Sequence, residues 1–362
     1  ISTRMYRLMR VNAANRNGLG RFYFVLGLYT YLMLTITCSS STAYETLQGQ
    51  AQGSTYTLQF ERSKTIETQL LQKEIDQLLS NIDQSMSTYV PGSIISKLNQ
   101  SEGAWVKVDA LFMRVLVSAL GVANDTEGAF DPTIGSVVQL WGFGFDEMRG
   151  DISEKSIQEA LSRSGFVQIN VDTLEASVRI PNGFSIDFNA IAQGFSVDTL
   201  ALLLESKGIQ NYMVELGGEV RTRGYNDRGE VWKIGIDRPD DGTTSNRELQ
   251  AIISLEGQSL ATSGNYRKYW VDQQTGVKYA HTIDPSTGRP AMNQLLSASI
   301  LHPQATLADA YATVCMVWGH LKCIEFLESN ADYSGVLIYT DVEGNWFTYY
   351  SPELVISMVQ TD

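Results

Sequence analysis

Positive charge is scarce in this sequence of 362 residues, which carries 27 lysines and arginines against 40 aspartates and glutamates. The resulting net charge of −13 disfavours nucleic acid or an anionic membrane surface as a partner, because the chain as a whole would repel both. A ligand that carries phosphate would therefore have to be bound locally, by a metal ion or by backbone amides. The hydrophobic fraction of 43% is typical of a globular protein with a sizeable core.

Histidine and cysteine are scarce too, with three of each. Cys315 and Cys323 are eight positions apart in a segment whose pattern predicts one helix, which would separate them by about 12 Å along the helix axis. That separation is too long for a disulfide, so we expect two reduced side chains that pack as small hydrophobic groups.

The longest apolar run, residues 22–37, is short for a membrane span. Five arginines and no acidic residue accompany it, which predicts an export signal over residues 1–37 and a polar tether over residues 38–53. Cys38 is a candidate lipid-attachment site, although threonines replace two residues of the usual lipobox; simple cleavage and an uncleaved anchor stay open. We expect a protein on the periplasmic side of a bacterial membrane, held there by a lipid or by its N-terminal segment.

Hydrophobic periodicity predicts a mixed α/β domain over residues 54–362, without internal repeats or an interior linker. The pattern predicts helices over residues 68–87, 110–125 and 196–208, one helix that contains Cys315 and Cys323, and strands over residues 212–216, 232–236, 251–255, 297–301 and 334–339.

Four loops have a more specific composition than a scaffold requires. "GAFDPTIG" places Asp131 before a proline, as a turn would, and "IDFNAIAQG" opens a helix through small residues that let the backbone approach a ligand. "ELGGEVRTRG" places Gly217 and Gly218 after an apolar strand, where a hairpin or bulge would use them equally well. "AHTIDPSTGRP" holds His281 in a turn rich in proline and glycine.

Together with "MSTY", "ATSGNYRKYW" and "ADAYATV", these motifs occur in the order and spacing of the ApbE family, which the sequence resembles from about Met86 to Val314. The resemblance implies a domain related to the T-fold and the activity of an FAD:protein FMN transferase. A threonine or serine hydroxyl of an acceptor flavoprotein would attack the FMN-side phosphorus of FAD and expel AMP, with Mg²⁺ neutralising the diphosphate. The acceptors implied are subunits of membrane electron-transfer complexes, such as the sodium-translocating NADH:quinone oxidoreductase (Nqr) and Rnf complexes.

The resemblance also implies a magnesium site on the helix that contains "ADAYAT". Asp309 and Thr313 are four residues apart and so lie on one helix face, and the backbone carbonyl of Ala190 would complete the protein ligands. Thr306 is expected to add a weaker contact. The alternative is structural: Asp309 would cap the helix and Thr313 would pack inward.

His281 is implied as the general base, or as the group that orients the acceptor hydroxyl, because imidazole accepts a proton near neutral pH. A histidine that is merely hydrogen-bonded within its turn is the alternative. For Phe130 and its neighbours the alternative is ordinary core packing. The residues implied to surround FAD are Met86, Tyr89, Ala129, Phe130, Asp131, Asp187, Gln193, Gly217, Gly218, Thr262, Ser263, Gly264 and Ile283.

The sequence departs from the family pattern at three places. Gln193 stands where many members have lysine, so a metal ion would carry more of the charge neutralisation. Ile94 stands where glutamate is frequent, and Glu219 replaces an aspartate with a longer carboxylate. Hydrolysis of FAD to FMN and AMP, and FAD binding without catalysis, remain alternative functions because both would use the same pocket.

Overall fold

The computed structural model describes residues 43–63, 65–144, 152–239, 248–265, 269–271, 276, 278–354 and 356–357. The predicted export signal and Cys38 lie outside these residues. No helix in the described ranges is both long enough and apolar enough to cross a membrane.

The helices of these ranges follow the periodicity of the sequence, and a short 3₁₀ helix, Phe166–Gln168, accompanies them. They are α1 (Thr68–Met86), α2 (Ile94–Asn99), α3 (Ala110–Asp125), α4 (Gly135–Leu140), α5 (Glu154–Leu161), α6 (Ala192–Ser206), α7 (Ala305–Trp318) and α8 (His320–Ser329).

The strands are numbered in chain order. They are β1 (Tyr44–Ala51), β2 (Ser54–Glu61), β3 (Val106–Lys107), β4 (Asn170–Asp172), β5 (Ser177–Arg179), β6 (Tyr212–Leu216), β7 (Glu219–Arg223), β8 (Trp232–Asp237), β9 (Leu249–Leu255), β10 (Ser259–Gly264), β11 (Tyr269–Val271), β12 (Lys278–Ala280), β13 (Ile283–Asp284), β14 (Arg289–Pro290), β15 (Leu295–His302), β16 (Ser334–Thr340), β17 (Trp346–Tyr350) and β18 (Ile356–Ser357).

A central antiparallel sheet contains eight of these strands, in the order β1-β2-β6-β7-β10-β15-β16-β17. Strand β10 lies in its middle: Leu260 pairs with Val220 of β7, and Thr262 pairs with Ser299 of β15. A smaller sheet, β18-β9-β8, packs its apolar side against the same part of the structure through Ile253, which clusters with Leu260 and Val220.

Helices α6 and α7 pack against each other and against the central sheet, α6 on β6 and β7 and α7 on β10 and β15. Helix α1 contacts α6, and α3 contacts α7 on the far side. Both central helices therefore bury residues on nearly every face, in contrast to the one-sided stripe of α1, where Leu71, Ile75, Leu79, Ile82 and Met86 face inward.

Apart from the single helix expected to contain both Cys315 and Cys323, the predicted helices and strands are confirmed, with shifts of a few residues at their ends. Helix α6 ends at Ser206 and Gly208 follows with φ of +82°, the left-handed conformation that often terminates a helix. The prediction of a tether over residues 38–53 is wrong in its described part, because residues 44–51 form β1 and pair along their length with β2. Half-buried and exposed residues alternate along most of this strand, but its polar composition gives no alternation of hydrophobic residues that sequence reasoning could detect.

The prediction of two reduced cysteines is also wrong, since Cys315 and Cys323 form a disulfide. The segment is not one helix. Gly319 adopts φ of +78°, ends α7 and lets α8 fold back, so the two Cα atoms lie 5.2 Å apart. Both cysteines are fully buried.

We expect removal of this disulfide by Cys315→Ala with Cys323→Ala to lower the free energy of unfolding by about 2–3 kcal/mol, because the crosslink restricts a short loop of the unfolded chain. Urea unfolding of the exported chain measures it. Wild-type protein treated with a dithiol reductant in urea should show the same loss, and an unchanged unfolding midpoint in the double variant would contradict the prediction.

Candidate active site

Asp309 lies on α7, where this helix passes close to the first turn of α6. Its carboxylate is buried, and Oδ2 accepts a hydrogen bond of 2.9 Å from the backbone N–H of Gly194 in the first turn of α6. The two helices come this close because Gly194 has no side chain: a Cβ there would overlap the carbonyl group of Ala305 and lie 2.7 Å from Cβ of Asp309. Burial raises the pKa of Asp309 to about 7, against the lowering effect of the Gly194 hydrogen bond. The carboxylate is thus held in a place where a cation would favour its charged form.

Thr313 lies one helical turn after Asp309 and faces β10. Its hydroxyl is 3.1 Å from the hydroxyl of Ser263. Alternation along β10 sends Thr262 to the opposite face of the sheet, where its hydroxyl is 2.8 Å from that of Ser299. Strand β10 therefore contributes one polar residue to the helix side and one to the other side.

The β6–β7 hairpin turns through Gly217 and Gly218, which adopt φ of +69° and +113°. Both conformations favour glycine. A Cβ at Gly217 would also overlap the side-chain amide of Gln193, so the first turn of α6 lies directly against this hairpin. The N–H of Gly218 donates to the Glu215 carboxylate at 3.0 Å.

A cleft of about 210 Å³ opens at this hairpin. Three of the predicted flavin residues line it, Gly217, Gly218 and Thr262. Sequence reasoning missed the remaining lining, which comes from β2, β6, β8 and β10. A search for strand neighbours of the glycine pair is the signal that could have found it. The missed residues are Ser54, Thr55, Glu215, Ile234, Gly235, Ile236, Asp237 and Leu260.

Asp131 and Asp187 lie in two loops that are joined by a 2.8 Å hydrogen bond from the N–H of Asp187 to the carbonyl of Pro132. Asp131 accepts hydrogen bonds from the N–H and hydroxyl of Thr133, at 2.7 and 2.6 Å. Asp187 accepts the N–H of Asn189 at 2.6 Å. Burial raises the pKa of both carboxyl groups, and these hydrogen bonds act in the opposite direction. The Asp187 loop continues through Ala190 into α6, and so leads to the turn that binds Asp309.

His281 belongs to a second group of side chains, at the end of β12. Its ring lies edge-on to Phe143, with centroids 6.4 Å apart. The turn after it is fixed by Trp141, whose indole N–H donates to the carbonyl of Gly288 at 2.8 Å, and Ile283 packs in the same cluster as Trp141. The described contacts thus place His281 and Ile283 beside α4 and α5.

Several predicted residues have structural roles of their own. Met86 and Phe130 are each 5% exposed and belong to the main core, with Ala129 packed against it, whereas Tyr89 is 61% exposed. The hydroxyl of Thr306 donates to Asp198 at 2.6 Å, which gives it a structural partner in α6.

The donors offered by Asp309, Thr313 and Ala190 are a carboxylate, a hydroxyl and a carbonyl. All three are hard oxygen ligands, which suit Mg²⁺ with water or phosphate oxygens completing its shell. In the described part of the chain, no three side chains of His, Cys, Asp or Glu gather as metal ligands. By the chemistry of their oxygen donors, Asp309, Thr313 and Ala190 fit magnesium.

The chain matches the sequence model of the ApbE family over residues 52–337. It belongs to the ApbE family. An FAD:protein FMN transferase of Vibrio cholerae is 35% identical over 314 residues, which cover 86% of this chain and 92% of that protein. An FAD:protein FMN transferase of Haemophilus influenzae is 36% identical over 315 residues, which cover 84% of this chain and 89% of that protein.

The solved structure of the flavin transferase ApbE from Vibrio cholerae matches this fold with a TM-score of 0.76 and 33% identity, over 86% of this chain and 97% of that chain. The predicted family and the mixed α/β fold are confirmed. The roles of the individual site residues remain predictions.

We expect Gly194→Ala to lower the free energy of unfolding by about 1–3 kcal/mol and to depress flavin transfer, because the added methyl group must push α6 away from α7. The matched control is Gly121→Ala in α3, where a Cβ meets no atom within 4 Å. That change should leave stability equal or raised by about 0.5–1 kcal/mol. Urea unfolding and transfer assays measure both variants; equal behaviour of the two would contradict the close approach of the helices.

Proposed function

We propose that this ApbE-family protein transfers FMN from FAD to a hydroxyl group of an acceptor protein and releases AMP, with Mg²⁺ held by Asp309, Thr313 and the carbonyl of Ala190. Its curated relatives of Vibrio and Haemophilus, named FAD:protein FMN transferases, support flavin transfer as its activity. The observation that supports the metal site is the buried Asp309 carboxylate at the junction of α6 and α7, one turn from Thr313.

Magnesium bound at this place would neutralise charge on the FAD diphosphate. The chain supplies the remaining contacts. The hairpin of Gly217 and Gly218 lets the backbone approach the substrate without a side chain in the way, and the Gln193 amide beside it offers a neutral hydrogen-bonding group. Thr262 and Ser263 place hydroxyl groups on either side of β10.

His281 has the role of accepting or orienting a proton in this proposal. As the acceptor hydroxyl oxygen bonds to the FMN phosphorus, the bond from that phosphorus to the AMP oxygen breaks, and AMP leaves with the electron pair. The hydroxyl proton passes to a ring nitrogen of His281. Positioning and charge neutralisation carry most of such a phosphoryl transfer, which fits a site with few reactive side chains.

An experiment separates transfer from its alternatives. The purified chain is incubated with FAD, Mg²⁺ and an acceptor domain that carries a target threonine, and the products are resolved by denaturing gel fluorescence and by chromatography. Covalent fluorescence on the acceptor with stoichiometric AMP supports transfer. Free FMN with AMP would support hydrolysis, and intact FAD would support binding alone; either result would contradict the proposal.

We expect Asp309→Asn to lower magnesium-dependent transfer by at least about a hundredfold, because a metal contributes several kcal/mol to transition-state charge stabilisation. The amide keeps an oxygen for the Gly194 N–H, so the fold should persist. The matched control is Asp83→Asn in α1, since burial also raises the pKa of Asp83. A magnesium titration of initial rates measures both variants, and wild-type activity of Asp309→Asn at the wild-type half-saturating concentration would refute the assignment.

We expect His281→Asn to reduce turnover by roughly 10²-fold, because general-base catalysis contributes that much or more. Binding of FAD should be retained, since His281 is not one of the residues that line the cleft at Gly217. Single-turnover transfer and FAD fluorescence quenching measure the two quantities. Unchanged turnover would remove His281 from the mechanism.

The proposal includes export, with the site on the periplasmic side of a bacterial membrane and an acceptor in an electron-transfer complex of the Nqr or Rnf kind. The buried disulfide supports an oxidising compartment. Anchoring through lipid at Cys38 belongs to the same proposal. Mass spectrometry of the protein from the membrane fraction tests for a lipid on Cys38. We expect the Cys38→Ser variant to be released from the membrane fraction.

A further inference from the structure

Helices α6 and α7 begin without a side-chain cap from their own N-cap residues. Within the described structure, Ile191 before α6 and Gln304 before α7 make no side-chain hydrogen bond to the first turn. The first N–H groups of a helix have no partner inside the helix and need one elsewhere. Here each helix receives it from an aspartate of the other.

Asp198, in the second turn of α6, binds the start of α7. Its Oδ1 accepts the N–H of Ala305 at 3.0 Å, and its Oδ2 accepts the N–H of Thr306 at 2.9 Å and the Thr306 hydroxyl at 2.6 Å. In return, Asp309 of α7 accepts the N–H of Gly194 in the first turn of α6 at 2.9 Å. The two helices thus exchange carboxylate-to-backbone hydrogen bonds.

Asp198 is itself held from the sheet side. Nη1 of Arg221 in β7 lies 2.7 Å from its Oδ1, and the Asp198 side chain is only 8% exposed. The carboxylate therefore has one fixed orientation, set by the sheet, and transmits it to the first turn of α7.

We propose that Asp198 is a positioning residue for the magnesium site, an inference that rests on the proposed function. Asp309 comes four residues after Ala305, and Thr313 comes four residues after Asp309. All three therefore lie on one side of α7, with about 6 Å along the helix axis between one and the next. By fixing the rotation of the first turn, Asp198 aims Asp309 toward the start of α6 and Thr313 toward Ser263 of β10.

The metal site depends on the fact that the cap of α7 comes from another helix, α6. A serine or aspartate at position 304 would satisfy the same N–H groups, but it would not tie α7 to α6. The proposed donor set is divided between these two helices, since the Ala190 carbonyl precedes α6 whereas Asp309 and Thr313 belong to α7. A cap that crosses between the helices fixes the spacing of the donors, together with the Asp309–Gly194 hydrogen bond.

The test separates this role from stability alone. Mn²⁺ binding to the full chain, with FAD present and acceptor absent, is measured by the electron paramagnetic resonance of free Mn²⁺, beside the melting temperature. We expect Asp198→Asn to weaken Mn²⁺ binding by roughly 10- to 100-fold, the usual effect of a residue that orients metal ligands. The KM for FAD at saturating metal should stay within about twofold of the wild type, since no cleft residue is changed.

The matched control is Asp109→Asn. Asp109 caps α3 by accepting the N–H of Phe112 at 2.7 Å, and α3 carries none of the proposed ligands. This variant should lose stability and keep Mn²⁺ affinity. An equal loss of affinity in both variants would overturn the proposal.

A second variant decides between capping and positioning. Adding Gln304→Ser to Asp198→Asn supplies a local cap. We expect the melting temperature to recover and the Mn²⁺ affinity to stay low; recovery of both would make Asp198 a cap only. If Asp198→Asn does not fold, Thr306→Val removes one bond to Asp198 and should weaken Mn²⁺ binding in the same direction, with unchanged binding overturning the inference.

Failure of the proposed magnesium site can be distinguished from failure of the positioning role alone. If the Asp309→Ala variant binds Mn²⁺ as tightly as the wild type, the proposed metal site is refuted, and the positioning role of Asp198 is refuted with it. Loss of Mn²⁺ binding in Asp309→Ala beside wild-type binding in Asp198→Asn would refute the positioning role alone.

Discussion

The hydrogen bond between Asp309 and the N–H of Gly194 sets the distance between the two central helices, and the candidate site depends on that distance. At this spacing the first turn of α6 reaches the β6–β7 hairpin, where Gln193 lies against Gly217. On the other side, α7 meets β10 through Thr313 and Ser263. Side chains from separate motifs therefore meet only because two backbones are in near contact.

Elements defined by local pattern could be predicted from the sequence. The stripe of Leu71, Ile75, Leu79 and Ile82 identifies α1, because hydrophobic residues at helical spacing can be recognised within one short segment of sequence. The disulfide could not be predicted in this way. Gly319 is compatible with a helix interior or with its end, and only packing against the sheet decides that α7 stops there.

The sequence motifs of the candidate site could be identified from the sequence, but most hydrogen-bond partners of its residues could not. Asp131 matches a family motif, yet in the described structure its carboxylate accepts hydrogen bonds from Thr133, two residues away. Thr306 was expected near the metal, but its partner Asp198 is 108 positions distant in sequence. No local pattern carries information on such a partner, and the same holds for the β8 residues that line the cleft.

The arrangement of the central sheet also governs when the domain can form. Strand β2 pairs with β6, and β10 pairs with β15, so the middle of the sheet joins segments that are far apart along the chain. Closing long loops before any pairing is rewarded makes such topologies slow to fold. During synthesis, β10 stays without its β15 partner until residue 302 has emerged from the ribosome. The central sheet of this chain is thus incomplete for most of its translation.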